Sequence, residues 1–176
     1  MSVKTNEMKI SKLSYICEIE MGQSPTGNDC NNEGIGVPLL NGPTEFRESY
    51  PLAVQYTTAP KRMCKKGDLL FCVRGSTTGR MNWADREYAI GRGLAAIRHA
   101  HGNEYKHFLK ALLDTKLSEL LSSATGSTFP NIGKDLLNSL KVKIPCLPSQ
   151  KHIAKILGCL VDKIELNNHI NDNLAA

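Results

Sequence analysis

SQKHIAKILGCLVDKIELNNHINDNL, residues 149–174, is the stretch that decides how this chain is built. Its apolar side chains recur at steps of three and four residues, which is the spacing of a coiled-coil seam. Pro148 disfavours helix in the residue before it, and Ser149 is a favourable N-cap. We therefore expect one long helix from Ser149 to Leu174 that serves as a spacer and assembly arm.

The apolar rows of this arm predict packing against another chain. The first row continues into Asn167 and Asn171, and polar residues at seam positions fix the register and number of helices at a cost in stability. A helix packed on its own domain with a frayed polar end is the alternative, but 26 residues with such polar last turns favour intermolecular packing. The predicted interface residues are Ile153, Ile156, Leu157, Leu160, Ile164, Asn167, Ile170, Asn171 and Leu174.

The rest of the chain has the composition of one compact domain. Its 176 residues, 41% of them hydrophobic, do not comfortably make two full domains. No apolar run approaches the ~18 residues of a membrane span, and the amino terminus lacks the apolar core of a signal peptide. We expect a cytoplasmic protein with no membrane partner. The six cysteines include no CxxC pair, so we expect reduced, mostly buried thiols and no metal site.

Local patterns predict short strands first and helices later. Turn formers divide residues 1–60 into short strands and loops. Leucines at helical spacing predict an amphipathic helix from Asn103, its cap, to Ala124, ended by Gly126. The other predicted elements are strands at 69–73, 94–97 and 142–144 and a short helix at 134–140, and His99–His101 is predicted to be a polar loop.

Positive charge is concentrated in one segment. From Lys61 to Arg98 the net charge is +6, whereas the other 138 residues sum to −1. Such a segment suits a polyanion, because each contacted phosphate releases counterions. A solvated basic face is the alternative, and the arginines favour nucleic acid, since the guanidinium group matches phosphates and guanine edges.

No constellation of residues predicts catalysis. The sequence has no GxSxG elbow, Walker loop or dinucleotide-binding GxGxxG. Residues 74–80, RGSTTGR, are similar to a phosphate cradle but lack the lysine-serine pair that would hold a magnesium phosphate. Asp85 and Glu87 are read as surface charges. We therefore expect a binding module with no cofactor.

Several short motifs, taken in order, resemble the specificity subunits of type I restriction-modification systems. Any one of them is weak, but together they cover most of the chain. They are residues 22–25, 66–70, 73–76 with Gly79, 89–91, 126–128 with 130–132, 144–145, 147–148, Gln150, Ile153, 156–157 and 162–165.

The resemblance implies a target-recognition domain of mixed α/β (α+β) structure over residues 1–145, with short strands and one amphipathic helix. Residues 146–176 would then be the helical spacer, a long coiled-coil helix that also docks the methyltransferase subunits. In that family the recognition domain reads double-stranded DNA, and partner methyltransferase and restriction subunits modify and cleave it.

The chain departs from the family in length, because members usually carry two recognition domains and two spacer helices. The simplest expectation is a homodimer with two antiparallel arms and a palindromic, interrupted target. At ~1.5 Å per residue the arm spans about 39 Å, close to the ~34–36 Å between half-sites one turn of DNA apart.

Candidate DNA contacts lie in the basic segment. Arg74, Arg80 and Arg92 each stand beside a glycine, where the backbone can approach a duplex. Hydroxyls of the same loop are expected to reach phosphates or base edges, and the cations at the start of the segment to attract phosphates without reading sequence. These two groups are Ser76, Thr77 and Thr78, and Lys61, Arg62, Lys65 and Lys66.

Structural roles are the alternatives for two of these motifs. Residues 75–79 also suit a hairpin turn beside a salt-bridged Arg74, and Thr128 and Asn131 suit a tight turn. Three other functions remain open for the whole chain: a detached recognition domain of a fused restriction-methylation enzyme, a dimeric adaptor that never touches DNA, and an unrecognised hydrolase or nuclease.

Overall fold

Two β-sheets, a two-stranded ribbon and three α-helices enclose two hydrophobic cores, as a computed structural model shows for residues 8–126 and 130–174. The strands are β1 (Lys9–Lys12), β2 (Cys17–Met21), β3 (Cys30–Asn31), β4 (Val37–Leu40), β5 (Gln55–Thr57), β6 (Met63–Cys64), β7 (Leu69–Cys72), β8 (Met81–Trp83), β9 (Tyr88–Ile90), β10 (Leu94–His99) and β11 (Lys141–Ile144). The helices are α1 (Lys106–Ser122), α2 (Lys134–Ser139) and α3 (Leu147–Leu174). This is the expected mixed α+β fold with a long C-terminal helix.

The sheets connect strands that are distant in the sequence. One sheet has the order β2-β10-β7-β8 and is antiparallel throughout. The other has the order β3-β5-β4-β9-β6, in which β4 and β9 are parallel and the remaining pairs antiparallel. A separate ribbon pairs β1 with β11, so that Lys9 lies opposite Ile144.

Strand β7 lies between the two hydrophobic cores, which explains its uninterrupted apolar sequence. Leu69 and Phe71 pack in the core that α1, α2 and α3 cover. Leu70 and Cys72 belong to the second core with β4 and β9. Both faces of the strand are therefore buried, and the predicted strands at 69–73 and 94–97 are confirmed.

Helix α1 is the predicted amphipathic helix, but its ends differ from the expected ones. Asn103 and Tyr105 bound a short 3-10 turn, and no side chain caps α1. Asn103 instead donates from Nδ2 to the carbonyl of Lys66, 3.4 Å away. The helix ends at Ser122, before Gly126, so the predicted cap and stop were both wrong.

Helix α3 begins two residues earlier than expected. Its first i→i−4 bond runs from the N–H of Gln150 to the carbonyl of Cys146, so Ser149 lies inside the first turn rather than at the cap. Pro148 is accommodated because first-turn N–H groups have no partner within the helix. The helix has 28 residues, which corresponds to about 42 Å.

One side of α3 packs along the body of the molecule. Ala154 is buried against the helical core, and Gly158 faces the ring of His107. Further along, Glu165 accepts a hydrogen bond from Ser49 at 3.0 Å, and Asn168 donates to Glu48 at 2.7 Å. Intramolecular packing, the alternative weighed for this helix, therefore accounts for one of its faces.

His99 is the last residue of β10 and contacts the start of α3, whereas a polar loop was expected at this position. It is buried and stacks on Tyr105 with 4.5 Å between ring centroids. Its Nε2 lies 3.0 Å from Oε1 of Gln150, whose Nε2 donates to the carbonyl of Pro145. The N–H of His101 donates to Nδ1 of His99. These partners fix His99 as the neutral tautomer that is protonated on Nε2.

The cysteines are less uniformly buried than expected. Cys17, Cys64 and Cys72 are buried, Cys30 is half-buried, and Cys146 and Cys159 are exposed. Burial raises the pKa of the Cys64 thiol to about 12. This thiol is a small apolar core residue, as the sequence predicted.

Candidate nucleic-acid interface

Five loop segments come together where the central strands end or begin. They follow β2, β4 and β7, precede β10, and include the stretch after α1. We call this surface the loop face, and it comprises residues 22–24, 41–44, 74–80, 91–93 and 130–131. Because β10 is antiparallel to β2 and β7, the start of β10 lies beside the ends of its neighbours.

Glycine allows the loop segments to approach each other closely. The N–H of Gly22 donates to the carbonyl of Leu94 at 2.8 Å. A Cβ on Gly22 would lie 2.1 Å from the carbonyl oxygen of Gly91, so no larger residue fits without a backbone shift. Ser24 then accepts the backbone N–H of Arg92 at 3.2 Å. Gly22 and Ser24, two residues of the sequence motif at 22–25, thus have structural roles.

The 74–80 loop is fastened at both ends to neighbouring segments. Thr78 donates from Oγ1 to the carbonyls of Gly75 and Pro130, at 2.7 and 3.0 Å. The N–H of Ile132 donates to the carbonyl of Val73, which adds segment 130–132 alongside the end of β7. The hydroxyl proton of Thr78 is therefore used inside the protein, whereas Ser76 and Thr77 are exposed.

Three of the predicted arginines share the loop face. Arg74, Arg80 and Arg92 are all exposed. Arg74 donates from Nε to Oδ1 of Asn131 at 3.2 Å, and it forms no salt bridge within residues 8–126 and 130–174. Arg80 donates from Nη1 to the carbonyl of Pro43 at 3.3 Å. The alternative of a salt-bridged Arg74 is not what the structure shows.

A fourth cation at this surface was missed by sequence reasoning. Arg47 is exposed and donates from Nη1 to the carbonyl of Thr44, 2.9 Å away. Arg47 lies outside the basic segment from Lys61 to Arg98, so the distribution of charge along the sequence did not indicate it. The nearby carboxylate of Glu45 is on a half-buried residue and accepts the N–H of Gly42 at 3.3 Å.

The remaining predicted cations divide between two places. Arg62 pairs with Glu20 at 3.2 Å, and its carbonyl accepts the N–H of Ile90 beside the loop face, so Lys61 and Arg62 border that surface. Lys65 and Lys66 precede β7 and lie at its opposite end. There Lys66 lines a cleft with Trp83 and Lys106. Lys61 and Arg62 therefore lie closer to the loop face than Lys65 and Lys66 do.

The outward side of α3 carries an uncovered apolar stripe. The side chains in this stripe are 36% to 59% exposed and comprise Ile153, Ile156, Leu160, Ile164 and Ile170. Asn167 and Asn171 are exposed as well, whereas Leu157 is half-buried. The side chain of Leu174, and all of Thr128, lie outside the described residues.

The described residues include neither a metal-binding cluster nor a helix that could span a membrane. Within the described ranges, no group of three or more His, Cys, Asp or Glu side chains is placed to hold a metal ion. None of the helices in those ranges has the length and apolarity needed to cross a membrane.

Comparison with known proteins identifies similar sequences. Residues 5–176 match the family model described as type I restriction modification DNA specificity domain. The chain is 38% identical over 149 residues to the putative type I restriction enzyme MjaX specificity subunit of Methanocaldococcus jannaschii, covering 85% of this chain and 35% of that protein. It is 31% identical over 121 residues to the HindI specificity subunit of Haemophilus influenzae, covering 65% of this chain and 26% of that protein.

Solved structures share the fold over nearly the whole chain. A structure of type I R-M complex assembly and conformational transition contains a chain with a TM-score of 0.78 and 27% identity, covering 99% of this chain and 43% of that one. The HsdS subunit from Thermoanaerobacter tengcongensis gives 0.75 and 27%, covering 97% and 41%. The S subunit from M. genitalium, at 0.65 and 18%, covers 98% and 46% and supports the fold alone. This chain spans less than half of each of these relatives.

Proposed function

This chain belongs to the type I restriction-modification DNA specificity family, and from that premise we propose that it recognises a DNA sequence for such a system. The observation that carries the proposal is the loop face, where Arg74, Arg80 and Arg92 converge on close-packed glycine loops. Exposed arginine side chains on such loops suit both phosphate contacts and guanine edges.

The loop face is proposed to read the DNA sequence. The cations along its border and at the far end of β7 are proposed to attract the phosphates of the duplex. Arg47 joins the three loop-face arginines, while Lys61 and Arg62 supply phosphate contacts along one border. Lys65 and Lys66, at the far end of β7, add long-range attraction that is screened by salt. Ser76 and Thr77 offer hydroxyls to phosphates or base edges, and Thr78 serves mainly to fasten the loop.

Chemistry on DNA is assigned to partner chains. In this proposal a methyltransferase subunit methylates adenine and a restriction subunit cleaves, both directed by the sequence that this chain binds. The chain itself uses no cofactor. The recognition domain is residues 1–145 and the spacer arm is residues 146–176.

The apolar stripe of α3 supports assembly as a homodimer. One face of α3 already packs on the body, so the exposed isoleucines and Leu160 on the other face are available to a second helix. Two antiparallel copies make a self-complementary contact and place two loop faces on one duplex. A twofold protein then reads a bipartite palindromic site, with Asn167 and Asn171 setting the helix register.

A salt titration tests DNA binding directly. Filter binding of the purified chain to a genomic DNA digest should weaken steeply as salt rises, since each phosphate contact releases counterions. Exchanging Lys61 and Arg62 for glutamine should flatten the slope by about one contact per residue. The same exchange at Lys151 and Lys155, two exposed cations of α3 away from the loop face, is the matched control. A chain that binds no DNA at low salt would support the adaptor reading instead.

Methylome sequencing tests the role in modification. Deleting the gene from its host should abolish adenine methylation at one interrupted motif, and restoring it should return the same motif. A palindromic motif supports the homodimer, whereas two different half-sites would contradict it. An unchanged methylome would overturn the proposed function.

A further inference from the structure

One arginine of the loop face is held in a way that the others are not. The Nε of Arg74 donates to Oδ1 of Asn131 at 3.2 Å, across 57 positions of sequence. The backbones of these two residues also form an antiparallel bridge. Asn131 is itself paired through its N–H and carbonyl with Thr125. The inner part of the Arg74 side chain is therefore attached to a segment whose backbone is paired on both sides.

The terminal nitrogens distinguish Arg74 from most of the other arginines, and its Nε bond distinguishes it from Arg92, whose side chain has no hydrogen-bond partner among the described residues. Arg47, Arg80 and Arg98 each use Nη1 within the protein, and Arg98 also uses Nη2. Arg62 and Arg86 use a terminal nitrogen in an ion pair. Among the hydrogen bonds of the described residues, the side chain of Arg74 uses Nε alone. Both of its terminal amino groups are therefore without a hydrogen-bond partner among the described residues, on an exposed residue.

This geometry matches the acceptor pattern of one base. Guanine presents O6 and N7 side by side in the major groove, and two parallel N–H groups of arginine bind both. A guanidinium group fixed through Nε offers its two terminal amino groups as a fork whose orientation is set before DNA arrives. Fixing the side chain in advance also reduces the rotamer entropy that binding would otherwise cost.

We propose that Arg74 reads a guanine of the target and that Asn131 is its positioning residue. The inference rests on the proposed function, since it names the base that the loop face recognises. Asn131 does not touch DNA in this scheme. Its amide oxygen holds Nε of Arg74, and its backbone keeps the 130–132 segment beside the end of β7.

The test uses duplexes that lack one acceptor. The motif whose methylation disappears when the gene is deleted defines a target duplex. Each guanine of this duplex is replaced in turn by 7-deazaguanine, which removes N7 and leaves the Watson–Crick edge intact. The wild-type chain, with its methyltransferase partner, should bind one substituted duplex at least about fivefold more weakly than the parent. Arg74→Lys should lose this sensitivity while binding a random duplex within about twofold of wild type, since the charge remains.

Variants of Asn131 separate positioning from folding. Asn131→Ala keeps the backbone pairing but frees Nε, so the 7-deazaguanine sensitivity should fall by at least about threefold. Asn131→Asp keeps an acceptor oxygen and should retain the sensitivity, with weaker binding to every duplex because of its negative charge. Arg86→Ala and Asn173→Ala, exposed residues away from the loop face, should leave the sensitivity unchanged.

The results distinguish failure of this inference from failure of the proposed function. If the wild-type chain binds its target no better than a random duplex, the proposed function fails and takes the inference with it. If the wild type is selective but no guanine shows the sensitivity, or Arg74→Lys retains it, only the guanine assignment falls. If Asn131→Ala and Asn131→Asp behave alike, the positioning role of the amide oxygen is wrong.

Discussion

At the scale of single residues, the buried ion pair between Asp68 and Arg98 ties the turn before β7 to β10. Asp68 is 1% exposed, and both of its oxygens accept from Arg98, at 2.8 and 2.6 Å. The N–H of Lys65 donates to the same carboxylate. Replacing Asp68 by alanine leaves Arg98 with Glu18 alone, 3.4 Å away.

We expect Asp68→Ala to lower the free energy of unfolding by about 3–5 kcal/mol, because Arg98, whose side chain is 21% exposed, keeps only its longer contact with Glu18, and the N–H of Lys65 loses its acceptor. Urea unfolding followed by circular dichroism measures the change. The control is Asp114→Ala, which removes an exposed i,i+4 pair with Lys110 and should cost less than about 0.5 kcal/mol. Equal losses for the two variants would contradict the role of the buried pair.

His99 makes stability depend on pH in a defined direction. Burial lowers the pKa of His99 below its ordinary 6.5, so the unfolded chain takes up the proton first as the pH falls. The free energy of unfolding should therefore decrease below about pH 6.5. His99→Gln should reduce this slope, as measured by urea unfolding at a series of pH values. Some slope should remain, since burial also lowers the pKa of His107.

At the scale of elements, small residues determine how closely α3 lies on α1. A Cβ on Gly158 would lie 3.1 Å from Cδ2 of His107, so there is little room for a side chain. Gly158→Val should lower the free energy of unfolding by about 1–3 kcal/mol through overpacking. Lys155→Val places the same side chain on the exposed side of the helix and should have a much smaller effect. Thermal unfolding compares the two variants, and similar losses would contradict the packing role of Gly158.

The local sequence pattern predicted some helices and strands correctly, but it did not predict the helix ends or the whole of the loop face. Leucine spacing predicted α1, and continuous apolar runs predicted β7 and β10. An element with one buried face has apolar residues at a regular spacing, and an element with two buried faces has them in a continuous run. The helix ends were wrong, since Asn103 found its partner in Lys66 rather than in the helix. The loop face itself could be only partly predicted. Arg74 and Asn131 are 57 positions apart in the sequence and contact each other only because of the order of the strands. A short stretch of sequence does not reveal that order.

At the scale of the whole molecule, the apolar stripe predicts concentration-dependent assembly. Replacing Ile156 and Leu160 by serine should weaken self-association at least about tenfold, since each buried aliphatic side chain contributes ~1.5–3 kcal/mol. Both side chains are about half exposed, so the unfolding of the isolated chain should change little. Analytical ultracentrifugation at micromolar concentration, with and without a methyltransferase partner, measures the association. A wild-type monomer under both conditions would contradict the homodimer.

The β1–β11 ribbon has a further consequence for how such chains diversify. Because Lys9 pairs with Ile144, the backbone enters and leaves the body of the molecule at neighbouring points, directly before α3. The chain between Lys9 and Ile144 therefore forms a segment, here called the cassette, whose two ends lie next to each other. A recombination event that replaced the cassette would leave the helix and its stripe in place. If the proposed function holds, assembly would then be inherited while the preferred DNA sequence changed in a single step.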